Sequence, residues 1–474
     1  MSIIGLELND SGIIAAGGSP LKLLALDGQA QESPGFALPQ KKGLLVGREA
    51  AGKARLFPRQ ILNRFWDQLN TEPLEQTGRH FPLNHAEIVF RHLELIWRQL
   101  QSYGDEIVMA VPSFYDRAHL GLILGMAQEL DMPVKGFVPL SLAASAQGCP
   151  EKMLLYLDIH LHRIEVVYLE QGEHLTIRDS AVTVEKGLLL LYQKLVDMIA
   201  QEFVRTTRFD PFHQAASEQQ LYDRLPGVLA HFQHNSSMVF ETFGTAAPYS
   251  ITLERNSITR SAEPIYSELL RLIKRMQNKR GEGRTPLALQ LSQRLARLPG
   301  CKEMLATLKD VQIIELDHGA AASGVCRIWR RLAPQGSNEG ISFFTSRPWQ
   351  SRQPAEPPGL GTGGTPPAGP THLLYRSIAY PITEKPLMIG GAKDGEGNDI
   401  IISAETSGVS AEHCTIELRG SDIILTNASA QETFVDEKQI NGSISLKLGQ
   451  IIRVGAPGEH LQLIACLDPP TKIY

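Results

Sequence analysis

Between residues 354 and 370 the chain reads PAEPPGLGTGGTPPAGP, six prolines and five glycines in seventeen positions. Proline removes a backbone donor and fixes φ, glycine loses the most entropy on ordering, and such a stretch has almost nothing to bury. No helix, ladder or core can run through it, so the segments on either side must fold as separate bodies. Including its polar approach, the linker is expected to span residues 333–372. A flexible coil of roughly 40 residues has ends about 35 Å apart. The expected domains are therefore 1–332 and 373–474, free to move independently.

Both segments have enough residues for a core. The chain of 474 residues is 43% hydrophobic and 20% charged, the composition of a globular protein. Its net charge of −5 supplies no general attraction for nucleic acid or an acidic membrane, and no apolar run nears the ~20 residues of a membrane helix. Neither nucleic-acid binding nor membrane insertion is expected. Cys149, Cys301, Cys326, Cys414 and Cys466 are scattered, odd in number and form no CxxC pair, which fits a reducing compartment and buried free thiols. The N-terminus lacks the basic and apolar regions of a signal peptide, so the expected location is cytoplasmic.

Before the linker, strand and helix patterns alternate, as in α/β layers. Residues 4–16 (IGLELNDSGIIAA) and 154–167 (LLYLDIHLHRIEVV) each read as two apolar strands joined by a polar turn. Between them lie Val108-Met109-Ala110-Val111-Pro112-Ser113-Phe114 and a helix with Asp116 as its N-cap, whose Leu122, Ile123, Met126, Ala127 and Leu130 form one apolar stripe. Then come Pro133-Val134-Lys135-Gly136-Phe137 and an alanine-rich helix. Further helices are expected from Leu188, over residues 209–232 and over 263–276, with a strand at 250–255. After the linker, short β-rich runs at 378–381, 386–389, 399–402, 413–418, 422–425, 434–436 and 450–454 alternate with Gly, Asn, Asp and Ser clusters, the pattern of an all-β sandwich.

The order of hairpins, the Ala110-Val111-Pro112 segment with its following helix, Pro299-Gly300, and the closing His318-Gly319-Ala320-Ala321-Ala322-Ser323-Gly324 together resemble the ATPase domain of the seventy-kilodalton heat-shock chaperones. The resemblance covers nearly all of residues 1–332. It implies a two-lobed actin-like, ribonuclease-H-like ATPase fold in which both hairpin turns cradle ATP phosphates. A phosphate cradle needs glycines, so that backbone N–H groups can converge on the oxygens, and carboxylates for magnesium. Here the family's Asp-Leu-Gly-Thr-Thr is Glu7-Leu8-Asn9-Asp10-Ser11, and its Gly-Gly-Gly-Thr run is His160-Leu161-His162-Arg163. Val138-Pro139-Leu140 lacks the family's glutamate, and residues 289–294 (LQLSQR) lack its paired glycines.

Two expectations follow. If a nucleotide binds, Glu7, Asp158 and Glu165 are the candidates to hold its cation, and His160, His162 and Arg163 to offset phosphate charge. If none binds, the domain is a pseudo-ATPase that needs no cofactor, and this is the expected state, because bulky side chains stand where the glycines should be. Alternation in Asp158-x-His160-x-His162 would place three metal-ligating types on one strand face, but the resemblance puts them in a turn, so no metal site is expected. The chaperone's peptide-binding part has no counterpart after residue 332.

Residues 373–474 resemble a forkhead-associated (FHA) domain, a β-sandwich whose loops read phosphothreonine peptides. The resemblance rests on Met388-Ile389-Gly390-Gly391, Asn398-Asp399-Ile400-Ile401-Ile402, Val409-Ser410-Ala411-Glu412-His413-Cys414, Thr433-Phe434-Val435-Asp436 and residues 448–455 (LGQIIRVG). It implies Ser410 as a phosphate contact and Gly390 and His413 as loop-bracing residues. The family's Ile-Gly-Arg is Ile389-Gly390-Gly391, so the phosphate-binding guanidinium is missing, and Ala411 replaces another arginine. One lost charge-assisted hydrogen bond is worth about 1.5–3 kcal/mol, roughly tenfold to 150-fold in affinity. Lys393, Gln431 and Thr433 are the remaining candidates for peptide contact.

The chain as a whole therefore reads as a cytoplasmic adaptor: a degenerate actin-like domain tethered to a module that binds a protein, in one form a threonine-phosphorylated one. The alternative is an ATP/Mg-dependent switch coupled to phosphothreonine recognition. Phosphorylation of Thr362 or Thr365 would add self-association.

Overall fold

The computed structural model describes residues 2–41, 43–74, 83–145, 148–149, 151–243, 248–279, 285–332, 342–348, 371–375, 378–391, 398–402, 409–420, 422–429, 432–436, 438–455 and 458–464. The chain divides into two compact units, Met1–Arg352 and Gln353–Tyr474. The Pro/Gly-rich segment 354–370 lies outside the described residues, as do Thr362, Thr365, Lys393, Gln431 and Cys466.

The first unit is built on two mixed sheets of the same strand order. One carries the antiparallel meander β1 (Ile3–Glu7), β2 (Ile13–Gly17) and β3 (Lys22–Leu24), with β4 (Glu106–Val111) parallel to β1 and β5 (Val134–Pro139) parallel to β4. The other repeats this with the meander β6 (Met153–Ile159), β7 (Ile164–Gln171) and β8 (His174–Val182), then β9 (Leu287–Leu291) parallel to β6 and β10 (Val311–Glu315) parallel to β9. The order from one edge is thus β5-β4-β1-β2-β3 in one sheet and β10-β9-β6-β7-β8 in the other.

Central strands buried on both faces explain the continuous apolar runs. In β6 all seven residues are buried, Asp158 among them. Helices cover these faces. Leu188–Thr207 (α1) buries Leu191, Leu195, Ile199 and Phe203 at helical spacing. Arg255–Lys279 (α2) buries Ile258, Ala262, Ile265 and Leu269 in the same core. Asp116 does cap the helix Arg117–Glu129, accepting from His119 N at 3.0 Å, but of the expected stripe Ile123 and Ala127 are fully buried while Leu122, Met126 and Leu130 are half-buried.

The expected boundary at residue 332 falls short. Beyond the helix Ala320–Leu332 (α3), β11 (Ser342–Phe343) pairs parallel with β5, and β12 (Ser346–Pro348) pairs antiparallel with β8. This seven-residue stretch adds one edge strand to each sheet, and Trp329 of α3 meets Phe344 edge-to-face at 5.5 Å. Composition could not reveal it, because such short edge strands are held by backbone pairing rather than by an apolar pattern. The strand expected at 250–255 is the second arm of a hairpin, Pro248–Glu254 on Ser237–Phe243.

The second unit is a sandwich of two sheets. In one, Leu387–Gly391 lies between Ile400–Ile402 and Cys414–Arg419, followed by Asp422–Asn427 and Ser443–Leu446. The other is ordered Ile378–Pro381, His372–Tyr375, Glu459–Ile464, Ile451–Val454, Thr433–Val435, Lys438–Gln439. Ile389, Ile416, Leu425, Ile452 and Leu463 fill the space between them. Cys149, Cys301 and Cys414 are buried free thiols and Cys326 a half-buried one. Among the described residues no helix is long and apolar enough to cross a membrane.

Candidate functional site

The β1–β2 and β6–β7 turns of the first unit meet, and Asn9 and Asp10 bond across to the second hairpin, while the buried His160 Nδ1 has no hydrogen-bond partner. Asp10 accepts the Leu161 N–H at 2.8 Å, and Asn9 Nδ2 donates to Asp158 Oδ2 at 3.1 Å and to the Ile159 carbonyl at 3.3 Å. Asp158 also accepts Tyr156 O–H at 3.0 Å and its neighbour's N–H at 2.8 Å. Glu165 accepts Ser113 N–H at 2.7 Å and faces His160 Nε2 at 3.3 Å. His160 Nδ1 lies 3.7 Å from Asp10 Oδ1, too far for a hydrogen bond but close enough for strong attraction. His160 thus stands between Asp10 of the β1–β2 turn and Glu165 of β7.

The start of α1 closes the same knot. Gly187 approaches the turn so closely that a Cβ would stand 2.3 Å from the Leu161 carbonyl oxygen. The close approach lets Leu188 N–H and Leu189 N–H donate to the His160 and Leu161 carbonyls at 2.9 and 3.0 Å. Two of the N–H groups at this helix N-terminus, which could otherwise face an anion, are thus spent on the turn.

Glu7 is taken by a cation. Arg294, on the short helix Gln293–Ala296 after β9, donates from Nη1 to Glu7 at 2.6 Å and from Nη2 to the Gly12 carbonyl at 2.6 Å. Burial works against its charge, but the carboxylates of Glu7, Asp158 and Glu32 outweigh burial and raise the guanidinium pKa. The space left beside this pair, between Tyr156, Ser292, Asp317 and Ala320, is about 10 Å³. That holds about one water.

All three candidate carboxylates are thus brought close to the two turns, each at most 4% exposed and each already bonded within the protein. Burial by itself would lower the pKa of His160, but the flanking carboxylates raise it to about 10, so the ring is an imidazolium at neutral pH. His162 points elsewhere, donating from Nε2 to the Asn63 carbonyl at 3.0 Å. Arg163 pairs with Asp67 and lies 5.1 Å over the Phe114 ring. Arg294 was legible only indirectly: a long cation stands where paired glycines would be expected. Asp10 carried no signal that distinguished it from a solvated turn residue.

In the second unit the loops at one end of the sandwich are tied by His413, which is fully buried. Its Nδ1 accepts Ser410 N–H at 3.2 Å, and its Nε2 donates to Thr433 Oγ1 at 3.0 Å, which donates on to Asn427 Oδ1 at 3.1 Å. This chain needs a neutral ring protonated on Nε2, and burial lowers the His413 pKa accordingly. Thr433 is therefore not a peptide contact as expected. It is 0% exposed and spends its hydroxyl inside the His413–Asn427 chain. Gly390 lies so near Ala411 that a Cβ would be 2.0 Å from the carbonyl oxygen, so the position excludes a side chain.

Ser410 is half-buried at the loop end, its Oγ 2.5 Å from that of Ser429. Ser429 was missed in the sequence, where it falls among several small polar residues. One of the two hydroxyls donates to the other, so while that bond holds at most one hydroxyl hydrogen of the pair can be turned toward a ligand.

No curated protein matches the chain. The FHA domain family model matches residues 388–455, which include Gly390, Ser410, His413 and Thr433, so the second unit carries an FHA domain, a phosphopeptide-binding type of protein-interaction module.

Proposed function

We propose that the chain is an adaptor in which an actin-like pseudo-ATPase body is joined to an FHA protein-binding module. The observation that carries the first half is the Glu7–Arg294 ion pair, with about 10 Å³ left beside it. A triphosphate and its magnesium need several hundred Å³ and open N–H groups; here the cations are internal. The shared strand order of the two sheets supports the actin-like reading. In this reading Arg294 and His160 replace metal and nucleotide, and Glu7, Asp158 and Glu165 persist because they hold the two turns together. The protein isolated from cells under native conditions should carry no stoichiometric nucleotide when its denatured supernatant is chromatographed. One equivalent of adenine nucleotide would overturn this reading and favour the ATP-dependent switch, for which the three acidic residues are the motivating observation.

The partner of the FHA module is a protein, read at the Ser410–Ser429 end and in the phosphothreonine form through those hydroxyls. Without the arginine, affinity should be modest. Ser410→Ala is expected to weaken a phosphothreonine peptide selected from a library by about 5-fold to 15-fold, near 1–1.5 kcal/mol for one hydrogen bond, as read by fluorescence polarisation. Equal binding of the unphosphorylated peptide would assign the module to an unmodified surface instead.

A further inference from the structure

Between residues 36 and 64 the chain carries seven Lys and Arg against a single carboxylate, Glu49, although its net charge is −5. These residues build the hairpin Ala37–Gln40 and Gly43–Val46, the helix Arg48–Ala51 and a turn over residues 52–60, which share a small core of Phe36, Leu38, Ala50, Ala54 and Leu161. Three of the cations are already held: Lys53 by Glu49 at 2.8 Å, Arg55 by Glu218 at 3.3 Å and Arg64 by Glu185 at 3.2 Å. Lys42 lies outside the described residues. Lys41, Arg48 and Arg59 are exposed, and among the described residues none of them has an ion-pair partner. The carboxylate of Asp27 is taken by the Ser33 hydroxyl at 2.9 Å and the Arg48 N–H at 2.7 Å.

Apolar surface stands among these charges. Leu56 is 38% and Phe57 42% exposed, and among the described residues they are the one pair of sequence neighbours with large apolar side chains left in solvent. Single exposed apolar residues are ordinary, but neighbouring ones rimmed by polar groups mark contact sites. The turn that carries them is fixed. Leu56 and Phe57 N–H donate to the Lys53 carbonyl at 3.1 and 3.0 Å, and Gln60 and Ile61 N–H donate to the Phe57 carbonyl at 2.9 and 3.1 Å. Ala54 and Ile61 take the inward positions. At the base, Arg55 N–H donates to Gln219 Oε1 at 2.6 Å, Gln219 Nε2 donates to the Ala51 carbonyl at 3.2 Å, and the Arg55 guanidinium lies 4.6 Å over the Tyr222 ring. These contacts tie the turn to the helix Ala215–His231, so a partner that covers Leu56 and Phe57 meets little ordering cost.

We propose that residues 56–59 (LFPR) are a docking turn for an acidic segment of a partner protein, whose aliphatic or aromatic residue covers Leu56 and Phe57 while its carboxylates pair with Arg59 and Arg48. Charge complementarity selects this occupant: the unpartnered cations attract carboxylates and reject basic segments, and an aromatic anchor beside an arginine is a common centre of protein contacts. Three such cations in a chain of net charge −5 are too few to hold nucleic acid or an anionic membrane by charge alone. The surface belongs to the first unit and depends neither on the FHA loops nor on any nucleotide.

The test selects peptides from a phage-displayed library of random dodecapeptides, depleted on F57S/R59E and then panned on the full-length protein. Acidic peptides that carry Leu, Phe or Trp should be enriched. In fluorescence polarisation F57S alone and R59E alone, both at exposed positions, should each weaken an enriched peptide about tenfold or more with an unchanged near-ultraviolet dichroism spectrum. Raising salt from about 50 to about 500 mM should weaken it further, because exposed charges are screened. No enrichment, an enriched set without acidic excess, or affinity indifferent to both substitutions overturns the proposal. So does binding of single-stranded DNA or of phosphatidylserine vesicles, in place of the peptides, that F57S and R59E abolish.

Discussion

Replacing Arg294 with alanine is expected to destabilise the first unit by about 3–5 kcal/mol. Glu7 is 4% exposed and would be left with an uncompensated charge beside Asp158, itself 0% exposed. The Gly12 carbonyl would lose its donor as well. Breaking a buried pair costs far more than the pair contributes net, because the desolvation of both ions is already included in the native state. The double variant Glu7→Gln/Arg294→Met removes both charges and should recover most of the loss. Urea unfolding followed through the first unit's tryptophans reads both. A single-variant effect below about 1 kcal/mol would mean that the pair behaves as an exposed one.

The stability of the first unit should fall as pH rises from 6.5 toward 10. His160 has its pKa raised from 6.5 to about 10 in the folded state, so between those values the folded protein holds a proton that the unfolded chain releases. The stabilisation is complete below 6.5 and is lost as pH climbs through 10, with a slope of up to about 1.4 kcal/mol per pH unit. Asp10 acts on the other flank. Burial raises its pKa but the neighbouring His160 lowers it more, so its contribution is present above 3.8 and is lost on acidification. His160→Gln keeps hydrogen-bonding capacity and should flatten the alkaline limb, measured by urea unfolding at a series of pH values. An unchanged limb would place the proton elsewhere.

The alternating strands and helices of the first unit, and the sandwich of the second, were legible because their apolar periodicity is strong. Ile159 and Ile164 flank the turn where the pattern breaks, and α1 begins at Leu188 as expected. The strands Ser443–Leu446 and Glu459–Ile464 were not picked out: the first is mostly exposed, and the second alternates Leu461 and Leu463 with polar residues over only six positions. The lack of glycine in the turn His160-Leu161-His162-Arg163 was legible in the sequence. How the turns are held was not, since pairing Asp10 with Leu161, or Arg294 with Glu7, joins positions 151 and 287 residues apart. Thr433 misled for a similar reason. A threonine beside a loop looks available, and only the chain His413–Thr433–Asn427 shows its hydroxyl committed inward.

The proposed pseudo-ATPase reading of the first unit is tested most directly by melting the full-length protein over a titration of Mg-ATP. That reading predicts no change in melting temperature, because a ligand that does not bind the folded state cannot stabilise it. A saturable upward shift that Asp158→Ala abolishes would contradict the account and show that the Glu7–Arg294 pair opens to admit nucleotide.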